Sequence, residues 1–316
     1  MTKVLCVGDI HARDKAPRGA TEPYMEDLLD LLRQTVKLAE ELKVDAVVWS
    51  GDVFHEKEPR KTSHATVQRM IEIVQSHTVP LYILPGNHDV SNSRLDSIDE
   101  KQPLGVLYRS GAKRLDGWAD ELLVYGIPWQ EGDWNDTPLD PDEDPFWGWT
   151  EATHRPASLL VTHASLYPPG TEPPFDVLDI EKLAEVVGHG SVYYGHIHED
   201  HGVYNVGDVQ FANMGALSRG SRHEYNVERD IKVCTWEDGV FEEIILDYRP
   251  AEDVLLMEEH AEARKEKMDL DGFIASIGSK ALEISSTSSV VDYINTRKDV
   301  PSLVRKRAVA LLENVS

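Results

Sequence analysis

A chain of 316 residues with 41% hydrophobic and 28% charged side chains has the composition of a folded globular protein, not a disordered one. Its formal charge is −24, and residues 251–316, with nine Lys/Arg against twelve Asp/Glu, hold only −3 of it; a surface this acidic repels phosphate backbones, so broad electrostatic binding to duplex nucleic acid is not supported. No run approaches the roughly 18 apolar residues of a membrane span, and the apolar stretch in MTKVLCVGDIHAR is too short for a signal-peptide core. Cys6 and Cys234 lie in strand-like runs and read as small buried hydrophobes, not a disulfide, so a cytoplasmic location is expected.

Apolar runs alternate with helical spacing along most of the chain, the pattern of an α/β fold. KVLCVGD (3–9) is a short strand, followed by a helix over 24–43. DAVVWSGD (45–52) is the next strand, and a helix over 62–77 opens at Thr62 or Ser63 as its cap. VPLYILPGNHD (79–89) is a third strand that breaks into a Pro-Gly turn. Further strands are expected at 122–127, 159–163 and 191–194. Residues 129–149 hold four of the seven tryptophans and many carboxylates, with no Lys or Arg; they read as an acidic surface insertion, with a lid or binding surface as the alternative. YPPGTEPP (167–174) reads as a stiff surface loop. From about residue 202 the runs shorten and lose their intervening helices, which indicates an antiparallel section. After Pro250 the chain turns helical and highly charged. A catalytic domain over 1–250 and a helical appendage over 251–316 are expected.

The chemistry collects where the apolar runs end. VLCVGDIH ends in Asp9 and His11, AVVWSGDVFH in Asp52 and His55, and LYILPGNHD in Asn87, His88 and Asp89. LLVTHA ends in His163, and VYYGHIH in His196 and His198. Strand carboxyl ends in an α/β sheet share one edge, where ligands bind, so residues distant in sequence converge. Carboxylate, imidazole and an Asn carbonyl form a mixed O/N set suited to Mn, Fe, Zn or Ni, not Ca. Seven ligands exceed one tetrahedral site but suit two ions that share a bridging carboxylate. Such a pair, about 3.5–4 Å apart, clamps the attacking and leaving oxygens of an in-line displacement at phosphorus.

The ordered blocks D-x-H, GD, GNH(D), H and GHxH resemble the calcineurin-like metallophosphoesterase family over about residues 3–250. The resemblance implies a four-layer α-β-β-α sandwich of two mixed sheets with a dinuclear site at strand carboxyl ends. It also implies that Asp9, His11 and His198 hold one ion, and that Asn87, His163 and His196 hold the other, with Asp52 bridging. His88 would stand outside the metals and serve the leaving oxygen. Asp89 carries no ligand role.

Within the family, GDVFHEKEPRKTSH is similar to the DNA double-strand-break nuclease subunits of the SbcD type and their phage relatives. Where the protein serine/threonine phosphatases place an aspartate three residues after the bridge, this chain has His55. That resemblance implies a manganese-dependent nuclease acting on DNA ends or single strands, with His55 paired to His88. It places Arg219 and Arg222 near a phosphate, against a plain surface role for both. An ATPase partner of the SbcC type would dock on C-terminal helices, where Leu303, Val304, Ala308, Leu311 and Leu312 share one face. The rivals are a small-molecule phosphodiesterase or phosphomonoesterase and, from another class, a metal-bound scaffold without catalysis.

Overall fold

The structure is a computed structural model that describes residues 2–17, 20, 23–90, 95, 97–129, 158–173, 177–220 and 224–255. The chain divides into two compact units, Met1–Leu255 and Leu256–Ser316. The second unit, with the docking face expected around 300–314, lies outside the described residues, as do Arg222 and residues 130–149 of the Trp-rich loop. No helix among the described residues is long and apolar enough to cross a membrane.

Twelve strands among the described residues form two six-stranded mixed sheets. The first sheet holds β1 (Lys3–Val7), β2 (Ala46–Trp49), β3 (Leu81–Ile83), β4 (Lys113–Arg114), β11 (Lys232–Glu237) and β12 (Val240–Ile245), in the order β12-β11-β1-β2-β3-β4. The second holds β5 (Trp118–Ala119), β6 (Val124–Ile127), β7 (Leu159–His163), β8 (Ser191–Gly195), β9 (Asp200–Val206) and β10 (Val209–Met214), in the order β5-β6-β7-β8-β10-β9. β1, β2, β3 and β4 run parallel, as do β6, β7, β8 and β10. The antiparallel section divides: the β9–β10 hairpin extends the second sheet, and the β11–β12 hairpin pairs with β1 in the first.

The central strands read as continuous apolar runs because both of their faces are buried. In β1, Val4 and Cys6 face the layer between the sheets, whereas Leu5 and Val7 face the helices. β2 repeats the alternation, with Ala46 and Val48 between the sheets and Val47 and Trp49 outside. Against that outer face pack α1 (Tyr24–Glu41), α2 (His64–Ser76), α3 (Ser97–Lys101) and α4 (Pro103–Arg109). On the far side of the second sheet, α5 (Ile180–Val187) sets Ile180, Leu183, Ala184 and Val187 against Leu160, Val192, Tyr194 and Phe211. The result is the expected α-β-β-α sandwich. Truncating a buried leucine such as Leu32 to Ala should cost about 2–5 kcal/mol.

Local signals explain how the helices begin and end. α1 buries Leu28, Leu29, Leu31, Leu32 and Ala39 on one stripe and carries Glu26 and Asp27 in its first turn, where the helix dipole favours acids. It stops in a Schellman turn: Val44 N–H donates to Ala39 O at 3.1 Å, and Lys43, at φ 54°, takes the left-handed position usual for glycine. α2 is capped by Ser63, whose Oγ accepts from Thr66 N–H at 3.2 Å. A short helix α6 (Glu224–Glu228) precedes β11. Beyond Pro250, a one-turn helix α7 (Ala251–Val254) and Leu255, bridged to Ala20, still belong to the first unit.

Candidate metal centre

The loops leaving β1, β2 and β3 in one sheet and β7 and β8 in the other meet at one end of the sandwich. His11 N–H donates to Asp52 O at 2.8 Å and Ala12 N–H to Val53 O at 2.8 Å, which lock the first two loops together. Three site residues hold their places with left-handed backbone: His11 (φ 53°), Asp52 (φ 48°) and His196 (φ 84°). Such conformations cost about 1–3 kcal/mol each and persist where surrounding structure over-determines them. Gly51 and Gly86 allow the close approach: a Cβ at Gly51 would lie 2.6 Å from His163 Nδ1, and one at Gly86 2.3 Å from Asp52 Oδ1.

Two ligand clusters share Asp52. In the first, His11 Nε2 lies 2.8 Å from His198 Nε2, 3.6 Å from Asp52 Oδ2 and 4.0 Å from Asp9 Oδ2, while His198 Nε2 is 3.5 Å from Asp9 Oδ2. In the second, Asn87 Oδ1 is 3.0 Å from both His163 Nε2 and His196 Nδ1, and His163 Nε2 is 3.4 Å from Asp52 Oδ1. Asp52 therefore turns one oxygen to each cluster. His163 Nδ1–H donates to Ser50 O at 2.7 Å, which fixes the tautomer and leaves Nε2 as the free ligand atom.

The electrostatics fit a bound cation. Burial alone would raise Asp9 and Asp52, but the His163 charge and neighbouring histidines outweigh it, holding Asp9 below and Asp52 well below the usual carboxylate range. Burial lowers His11 to about 3 and His196 to about 4, so both rings are neutral and able to ligate. At His163 burial again lowers the pKa, but Asp52 and Asp9 win and push it up to about 9. Positive charge is favoured between the two carboxylates. Carboxylate oxygens and imidazole nitrogens converging at Asp52, with the Asn87 amide oxygen beside them, form the O/N donor set that divalent transition ions take.

A third group, His11, His55 and His88, adjoins the first cluster. His88 main-chain N–H donates to Asp52 Oδ1 at 2.7 Å, and its Nδ1–H donates to the main-chain carbonyl of His55. The His55 and His88 rings stack with centroids 5.2 Å apart. The pairing expected between them is thus a carbonyl contact plus ring stacking, with no bond between the two imidazoles. His55 Nδ1 instead faces His11 Nδ1 at 3.4 Å and Arg13 Nη2 at 3.3 Å. Burial, then Arg13, lowers His55 to about 4.

One expectation needs correction. Arg219 is buried and its guanidinium is taken up by the chain itself: Nε, Nη1 and Nη2 donate to the carbonyls of Asn226, Arg249 and Arg229 at 2.9, 3.1 and 3.0 Å, and Tyr248 stacks on the guanidinium. It knits the turn before β11 to the chain after β12.

Three further residues border the site without a role assigned to them individually from the sequence. The buried Asp89 carboxylate accepts from Gly86, Val53 and Phe54 N–H, bracing the loops that carry Asp52 and His88, while burial and Asp52 push its pKa up to about 7. Trp129, the one described tryptophan of the acidic loop, lies 4.7 Å from the His196 ring, tilted by 33°. Arg13 follows directly on the first block. The D-x-H-x-R spacing held a signal for it, but nothing in the sequence tells a site arginine from a surface one.

This fold, with two cation-seeking clusters at the merged ends of both sheets, defines a metal-dependent phosphoesterase. Residues 2–200 match the calcineurin-like phosphoesterase family, and the chain belongs to that family. Its fold is similar to that of a dimetal phosphatase from Danio rerio, with 14% identity and a TM-score of 0.50, over 78% of this chain and 99% of that one. It is also similar to the protein TT1561 of Thermus thermophilus (14% identity, TM-score 0.48, covering 77% and 98%) and to a novel archaeal phosphodiesterase (14%, 0.39, covering 78% and 100%).

Proposed function

We propose that this protein is a dinuclear phosphodiesterase that cuts nucleic acid, single strands or ends in preference to intact duplex, with manganese as its metal. Asp9, His11 and His198 would hold one ion, Asn87, His163 and His196 the other, with Asp52 between. When bound, the ions polarise the phosphoryl oxygens and acidify water. The chain's own residues do the rest. Ser50 and Asp89 keep the ligands aimed, and His88, fixed through Nδ1 by the His55 carbonyl, presents Nε2 to the leaving oxygen as a general acid.

The observation that carries the diester reading is that a histidine, not a carboxylate, stands beside the His88 ring. No carboxylate forms an ion pair with the His88 side chain among the described residues, and the ring stacked on it is His55. A diester with one charge and a second bulky substituent suits such surroundings better than a dianionic monoester. The net charge of −24 favours the rival reading, a small-molecule phosphoesterase. One preparation with manganese, assayed on bis(nitrophenyl) phosphate, nitrophenyl phosphate and single-stranded DNA, decides. The diester should be cleaved far faster than the monoester, with DNA degraded under the same metal dependence. A better monoester rate with DNA intact supports the rival.

A further inference from the structure

Among the described residues, Arg13 is a cation without a carboxylate partner. It is partly buried, its Nε is shielded from solvent with no hydrogen-bond partner, and no ion pair joins it to a carboxylate among the described residues. Its side-chain partners are not carboxylates: they are the His55 ring at Nη2 and the buried Tyr24 hydroxyl, which itself donates to Ser218 Oγ at 3.0 Å. The adjacent Asp14 offers no relief, because its carboxylate accepts from Ser63 N–H and Oγ–H at the start of α2, 2.7 Å each. In a chain with 56 Asp and Glu against 32 Lys and Arg, an arginine left without a carboxylate is unexpected. Guanidinium is permanently charged and shaped for two-point contact with phosphate, and burying it unpaired is costly.

Its position says which anion it meets. His11 faces the metal cluster with Nε2, and Arg13 stands on the Nδ1 side of that ring, across His55. Arg13 is thus set back from the first ligand cluster by the width of the His11 imidazole. It lies on the side where His88 serves the leaving oxygen. We infer that Arg13 binds a second anionic group of the substrate, the phosphate next to the one being cleaved, on the leaving-group side. This rests on the phosphodiesterase reading and narrows it to substrates with at least two phosphates in a row. It also supplies a local positive centre on an acidic protein.

The test compares wild type with Arg13→Gln and, should that variant fold poorly, Arg13→Met, which keeps the length of the stem. Binding of a short fluorescent oligothymidylate is followed by anisotropy across a salt series. Loss of one phosphate contact should lower the slope of log affinity against log salt by about 0.7, and Arg13→Lys should restore most of it. Arg33→Gln, at an exposed position paired with Asp30, is the control and should leave the slope unchanged. With manganese, Arg13→Gln should lose about ten- to a hundredfold in kcat/KM on the oligonucleotide and far less on bis(nitrophenyl) phosphate, which has no second phosphate. An unchanged slope, equal losses on both substrates, or a wild type that binds no oligothymidylate overturns the inference. Hydrolysis of the small diester by wild type tests the phosphodiesterase reading separately.

Discussion

The main-chain N–H of His88 donates to Asp52 Oδ1 at 2.7 Å, so the candidate acid and the carboxylate between the two clusters belong to one rigid unit. The same oxygen lies 3.4 Å from His163 Nε2, while Asp52 Oδ2 faces His11 at 3.6 Å. A shift of the Asp52 carboxylate would therefore be felt at both clusters and at His88.

Asp52→Asn removes one of these two oxygens and presents an NH2 in its place. Turnover should fall by at least about 100-fold, and the bound metal should drop below two ions per chain, with the fold intact by circular dichroism. Wild-type activity at limiting manganese would contradict the shared-ligand arrangement.

His88→Ala keeps the N–H that supports Asp52 and deletes only the ring. Both ions should stay bound while turnover on a poor leaving group drops by about 10²–10⁴-fold. The loss should shrink with a nitrophenolate leaving group. Metal analysis that finds one ion missing rules out a role outside the metals.

His55→Ala leaves in place the carbonyl that orients His88. Its cost should be about tenfold, or about 1.4 kcal/mol, well below that of His88→Ala. Equal losses for the two variants would mean that the His55 ring itself acts in the step.

How much of this was legible in the sequence depended on the length of the signal. Asp9, His11, Asp52, Asn87, His88, His163, His196 and His198 could be read because each ends a buried strand whose apolar run is unmistakable. The helices α4 and α5, at seven and eight residues, are too short for periodicity to stand out. The His55 carbonyl could not be read, since backbone direction is set by the turn and not by the side chain. Arg219 was placed near a phosphate by the resemblance alone, which carries no information on what its side chain touches. Only the tertiary fold shows three main-chain carbonyls waiting for that guanidinium.

His77, at the end of α2 and in neither ligand cluster, sets a pH limit on stability. Burial against Trp49, with neither ring nitrogen hydrogen-bonded, lowers its pKa to about 4. The fold favours the neutral ring, so its full stability holds above pH 6.5 and is lost as pH falls from there toward 4. The loss should reach up to about 3 kcal/mol. Urea unfolding of metal-stripped protein should show His77→Leu losing less stability between about pH 7 and 4.5 than wild type. Parallel losses would show that His77 is not responsible.

The dinuclear mechanism stands or falls on Asp52 lying between two metal ions. Anomalous diffraction at the manganese edge, from crystals grown with manganese, tests this most directly. Two peaks about 3.5–4 Å apart are expected, one beside His11 and His198 and one beside His163 and His196, with an Asp52 oxygen in contact with each. A single peak, or two peaks of which only one touches Asp52, would contradict it.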